Sequence, residues 1–190
     1  MLIAASRRLL SAWTPQLPLT RRVLVVNGHP DPRPQRFCFA LCDACANGAR
    51  SAGHRVRTML VGDLPLRTDA VEFAVAQEQI GWSDRLFVVF PIWLGSPPPA
   101  LLRVFEAFSE KDAAELKKGR DSVGTERQTH LVMTASLPAL LYRSKGAVHP
   151  RSLPGVKAGP PTIIGSVNTI SREDRRHWLC EMHRLGVKVK

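Results

Sequence analysis

Along the chain, short runs dominated by apolar residues alternate with longer stretches in which apolar residues recur every three or four positions. The short runs are 23–28 (VLVVNG), 54–61 (HRVRTMLV), 85–92 (RLFVVFPI), 129–135 (THLVMTA) and 162–167 (TIIGSV). Their length, their Val, Ile and Phe content and the turn residues that bound them predict strands. The period of the first long stretch predicts a helix over about 36–52, stopped by Gly53. A short helix is expected over 71–81. Another follows the loop WLGSPPP, where Leu101, Val104, Phe105 and Phe108 fall on one face and Ser96–Pro97 offers a start signal. Ser171 with Asp174 three residues on reads as a capping box, and Trp178, Leu179, Met182 and Leu185 then form the apolar face of a closing helix. Between the last two strands, Pro150, Pro154, Gly155, Gly159, Pro160 and Pro161 interrupt any helical pattern.

Strands that alternate with helices, each strand apolar throughout, predict an α/β domain with a parallel sheet covered on both faces. Ligands of such sheets bind beyond the carboxyl ends of the strands, where the winding direction switches. The loops expected there are 28–36, 91–99 and 135–149.

The chain has 190 residues, 44% of them hydrophobic, enough for one domain with its own core. No apolar run is long enough to span a bilayer. Residues 1–21, with four arginines by position 22 and no acid, resemble either a transit peptide or a disordered extension. The clean start of the globular pattern at Arg22–Val23 favours the extension, and the domain is taken as 22–190. The formal net charge is +11, which should attract anionic ligands. The basic residues are scattered as pairs, there is a single tyrosine, and no stretch interleaves aromatic with basic side chains. That pattern argues against nucleic acid as the partner.

Cys38, Cys42 and Cys45 have the spacing C-x3-C-x2-C, which in a loop would suit an iron–sulfur cluster. On a helix they fall with Ala49 and Ala52 on one stripe, opposite Arg36, Asp43, Asn47 and Arg50. They would also be spread over about 10 Å of helix axis. They are therefore expected to be buried reduced thiols, with no metal centre, in a cytosol-like compartment.

Each loop has a functional and a plain structural interpretation. Loop 28–36 leads into a helix start, where free N–H groups, Arg33, Arg36 and His29 would suit an anion. It matches neither a Walker loop nor G-x-G-x-x-G; the plain alternative is a proline-rich connection with no ligand. Trp93 in the second loop would suit a flat heteroaromatic ring, or simple packing. Thr134, Ser136, Tyr142 and His149 occupy the third. A tyrosine and a histidine there could pass a proton or stabilise an anion, or be ordinary loop residues.

Taken in order, VLVVNGHPDP with RFCFALCDACANGARSAGH, GWSDRLFVVFPIWLGSPPPALLRVFEAF, THLVMTASLPALLYRSKGAVH and the closing TIIGSV with its helix make most of 22–187 similar to the flavodoxin-like NAD(P)H:quinone oxidoreductase family. The resemblance implies a doubly wound five-stranded sheet of order 2-1-3-4-5. It implies bound FAD or FMN, NAD(P)H as co-substrate, a quinone or similar small acceptor, a homodimer and a cytoplasmic location. By position, His29, Arg36, Phe37 and Cys38 would lie at the flavin phosphates. Pro91, Ile92, Trp93 and Leu94 would line the isoalloxazine edge, and Thr134, Ala135 and Ser136 its polar rim. Tyr142 and His149 would match the residues that assist hydride transfer. The chain departs from the family where Arg36 and Cys38 replace a frequent Ser and Asn, and where Ala135–Ser136 replaces a glycine pair. It also carries the charged stretch SEKDAAELKKGRDSVGTERQ in place of a longer aromatic loop. The alternative function is a non-catalytic binding or regulatory relative with a degraded flavin site; a third is an anion- or nucleic-acid-binding domain.

Overall fold

In a computed structural model, which describes residues 20–64, 70–117, 128–144 and 158–189, the apolar runs form the expected strands. They are β1 (Arg22–Asn27), β2 (Arg55–Leu60), β3 (Arg85–Pro91), β4 (Gln128–Thr134) and β5 (Thr162–Ile164). All pairings are parallel, in the order β2-β1-β3-β4-β5. The helices are α1 (Phe37–Ser51), α2 (Ala70–Trp82), α3 (Pro99–Lys117), α4 (Ala139–Ser144) and α5 (Arg172–Val187).

Side chains alternate across a strand, and the core divides accordingly. Leu24, Val26, Leu86, Val88 and Phe90 point to one face, where they meet Ile80 of α2 and Leu101, Val104, Phe105 and Phe108 of α3. Val23, Val25, Phe87 and Val89 point to the other, against α1 and Met182 of α5. The predicted cysteine stripe is part of that second layer. Cys38, Cys42 and Cys45 are buried free thiols, and burial pushes Cys38 up to about 11 and Cys45 up to about 12. Asp43, Asn47 and Arg50 face solvent, as the helical period requires. The α1 and α5 backbones touch through Gly48 and Gly186. A Cβ on Gly48 would collide with the His183 carbonyl oxygen, and one on Gly186 with the Cys45 carbonyl oxygen.

The capping box forms: the Ser171 hydroxyl accepts from the Asp174 N–H at 2.9 Å. Other local expectations are corrected. β2 is not apolar throughout; it is a sheet edge whose exposed arginines leave Met59 as its buried residue. Helix α3 starts at Pro99, because Ser96 is held in a turn with Trp93 and Pro98 supplies the first acceptor carbonyl. It continues to Lys117, since helix formers run on through the charged stretch. The broken pattern after β4 still accommodates the six-residue α4. No helix among the described residues is long and apolar enough to cross a membrane.

Candidate functional site

Sheet order places the switch in winding direction between β1 and β3. From β1 the chain passes through α1 to β2 on one side, and later through α2 to β3 on the other. The segments after β1, β3 and β4 therefore converge at one end of the molecule.

The segment after β1 is built from polar hooks on proline-restricted backbone. Asn27 is buried, and its Oδ1 accepts from the His29 N–H at 3.0 Å. Its Nδ2 is buried with no partner. His29 Nδ1 accepts from the Asp31 N–H at 2.9 Å, and its ring meets Trp93 edge-on at 6.2 Å. That contact ties the first loop to the second. Burial, followed by the nearby Arg36, pulls His29 below its ordinary value against the opposing effect of Asp31. Asp31 accepts from Arg33 Nη2 at 2.7 Å and from Arg36 Nε at 2.6 Å, and also from the Arg33 N–H. The hydrogen bonds from Arg33, reinforced by Arg36, hold its carboxyl well below the usual carboxylate range.

Helix α1 begins just beyond these arginines. Its N-cap, Arg36, offers no side-chain acceptor, and the first turn contains no acid. Its leading N–H groups and the positive end of its dipole are thus left without an anionic cap. Phe37 lies under Arg175, whose Cζ is 5.0 Å from the ring centroid and whose Nη2 donates to the Val167 carbonyl at 3.3 Å. The Cys38 Sγ is 3.4 Å from Thr134 Oγ1, so both are packed beneath the helix start.

After β3 the chain makes a two-residue reversal. The Trp93 N–H donates to the Ser96 carbonyl, and the Ser96 N–H to the Trp93 carbonyl, both at 2.9 Å. Leu94 and Gly95 between them have φ of 49° and 83°. Glycine adopts that conformation freely, whereas for leucine it is strained. Leu94 is nevertheless fully exposed, and Trp93 is half exposed.

The third segment returns below this turn. Ser136 and Leu137 are exposed, and α4 presents Leu141 and the half-buried Tyr142. Together with Ile92, Trp93, Leu94 and Gly95 they line an open, mainly apolar cavity of about 550 Å³.

Of the residues proposed from the sequence, Ile92, Trp93, Leu94, Ser136 and Tyr142 share this cavity. His29, Arg36, Phe37 and Cys38 gather at the start of α1. Pro91, Thr134 and Ala135 are buried in the sheet end beneath both. His149 lies outside the described residues. Sequence reasoning missed Asn27, Asp31, Leu137, Leu141 and Arg175. Of these, only the leucines had a visible signal: an apolar LPALL in a segment too broken by proline to be a core helix. Among the described residues, no cluster of His, Cys, Asp and Glu is arranged to hold a metal ion.

The fold is widely shared. An NAD(P)H:quinone oxidoreductase from Methanothermobacter marburgensis superposes with a TM-score of 0.70 at 16% identity, covering 90% of this chain and 100% of that one. An azoreductase from Bacillus anthracis gives 0.60 at 15%, covering 90% and 100%. The general stress protein 14 from Treponema denticola, solved in complex with FMN, gives 0.60 at 17%, covering 88% and 95%. No curated protein matches the chain. A family model described as a flavodoxin-like fold matches residues 21–151, which span β1 through β4 and all three converging segments, and the chain belongs to this family.

Proposed function

We propose that the chain is a flavin-dependent NAD(P)H oxidoreductase that passes hydride to quinones or similar small acceptors. The observation that carries this reading is a pairing of two subsites at one end of the sheet. An uncapped helix start flanked by arginines lies beside an apolar cavity with an exposed tryptophan. One suits a phosphate and the other a flat heteroaromatic ring, which are the two ends of a flavin nucleotide. The unpartnered Asn27 Nδ2 and the absence of an acid in the first turn of α1 fit such an anion.

A bound FAD or FMN would supply hydride transfer between NAD(P)H and the acceptor. The chain's own residues would do the rest. The α1 N–H groups and Arg36 would hold the phosphate, with His29 fixing the loop. Ile92, Trp93 and Leu94 would cover the ring edge and exclude water, and the Ser136 hydroxyl would face its polar rim. Tyr142 Oη would donate a hydrogen bond to negative charge that develops in the cavity. His149 is assigned beside it on the resemblance. The same reading includes a homodimer in the cytoplasm.

A non-catalytic role is the second reading, favoured by the engagement of Arg33 and Arg36 with Asp31 and by Ala135–Ser136 in place of a glycine pair. The absorbance spectrum of the purified protein, followed by titration with FMN and FAD, separates the two. A flavin chromophore, or affinity for either nucleotide, supports the oxidoreductase. A colourless protein that quenches neither flavin's fluorescence sinks it.

A further inference from the structure

We propose that Asp31 is a built-in competitor for the anion subsite: its carboxylate occupies Arg33 and Arg36, the cations that a phosphate at the start of α1 would otherwise take. The identity of the natural ligand rests on the flavin reading above; the competition does not.

The geometry behind this is specific. Asp31 stands between Pro30 and Pro32, so the backbone around it has little freedom. Its Oδ1 accepts from both the Arg33 N–H and the Arg33 Nε, and its Oδ2 accepts from Arg33 Nη2 and Arg36 Nε. The carboxylate is the inner partner, with its side chain 24% exposed against 67% for Arg33 and 45% for Arg36. Both guanidinium groups therefore bend inward to a charge that the loop already holds.

What remains for an incoming anion is the uncapped start of α1 and the buried Asn27 Nδ2, which has no partner. Asn27 is the last residue of β1 and shares strand parity with Val23 and Val25, which pack against α1. A phosphate bound there would gain those donors but face the Asp31 charge and lack free arginines. Bare phosphate is then a poor ligand. A phosphate attached to a ring that also fills the apolar cavity has a second source of binding energy, with which it can draw the arginines away from Asp31. Asp31 thus makes the subsite selective for two-part ligands.

Asp31→Asn tests this, because it removes the charge while keeping an oxygen for the Arg33 N–H. Removing a like charge one side chain away from a phosphate should strengthen its binding roughly tenfold. Inorganic phosphate, FMN and riboflavin are titrated into wild type and variant, by calorimetry for phosphate and by fluorescence for the flavins. Asp31→Ser, which also retains a hydroxyl acceptor, serves as the second neutral variant, and circular dichroism confirms folding. The expected result is tighter phosphate and FMN binding with riboflavin unchanged, and loss of the gain when Arg36→Gln is added. Unchanged or weaker phosphate binding in both folded variants overturns the proposal, because Asp31 would then be arranging the arginines for the anion. If neither protein binds any flavin, the oxidoreductase reading fails, and the phosphate titration still decides the role of Asp31.

Discussion

Replacing Leu94 by glycine should raise stability and weaken ring binding at the same time. Leu94 has φ 49° in a turn closed by two 2.9 Å hydrogen bonds, and its side chain is fully exposed. A left-handed conformation costs a non-glycine residue about 1–2 kcal/mol. Glycine removes that strain but adds about 0.5–1 kcal/mol of unfolded-state entropy. No core contact is lost, so the net gain is about 0.75 kcal/mol from the middle of each range, or about 1.5–3 °C in Tm for a chain of this length. Binding should move the other way. A ring in the cavity that covers about half of Leu94 would gain about 1–1.5 kcal/mol from it, so Leu94→Gly should raise the Kd for riboflavin about tenfold. Leu94→Asn keeps a side chain tolerant of the left-handed region and should show the same stabilisation with less entropy offset. Calorimetric melting and fluorescence titration read both quantities. A lowered Tm would show that Leu94 makes contacts worth more than its strain. An unchanged riboflavin Kd alongside a raised Tm would show that the strained leucine does not serve the cavity.

Gly186→Ala should destabilise the fold by about 3 kcal/mol, since its Cβ would meet the Cys45 backbone; a chemical denaturation midpoint equal to wild type would show that α1 and α5 can separate freely. His29 and His130 both lie below the ordinary value of 6.5, each chiefly through burial. The folded state then binds fewer protons than the unfolded one, so their contribution is complete above about pH 6.5 and declines as pH falls through that value toward the folded pKa. A Tm that rises on acidification from pH 7 to 5 would contradict this. Asp84 is shifted down mainly by its hydrogen bond from Arg22, so its contribution should persist above the ordinary carboxylate value and be lost only on further acidification, a loss that Asp84→Asn should abolish in Tm-against-pH curves. On the proposed function, Tyr142→Phe should slow reoxidation of the FMN-loaded, reduced protein by quinone on the order of 10²-fold with FMN affinity unchanged, and equal stopped-flow rates would remove Tyr142 from the proposed chemistry.

Some of this architecture was legible in the sequence because it depends only on period. The cysteine stripe of α1 follows from the helical repeat, and burial of Cys38, Cys42, Cys45 and Ala49 is what that repeat requires. The strands were recognisable for the same reason, and parallel pairing follows from their separation by helices. Period says nothing about position within the sheet. HRVRTMLV resembles a buried strand until the order places it at an edge, where Arg55 and Arg57 can reach solvent. Nor does it show where a helix of good formers will stop, which is why α3 runs into the charged stretch.

The site was legible only in part, for a different physical reason. The sequence identifies residues able to bind an anion or a ring, but not which of them are already bound to one another. Arg33 and Arg36 are free cations in any reading of the sequence; in the fold both belong to Asp31. Trp93 was compatible with packing or with a platform; in the fold it is half exposed and meets His29 edge-on, a placement that no local pattern specifies. Arg175 stacks on Phe37 from a helix at the far end of the chain, and no local pattern connects the two. Polar function depends on which partner a group is left with once the chain closes. Among the described residues Arg21 Nε, Asn27 Nδ2 and Gln79 Oε1 are buried without one, and of these Asn27 Nδ2 lies at the sheet end where the uncapped first turn of α1 also offers donors to a ligand.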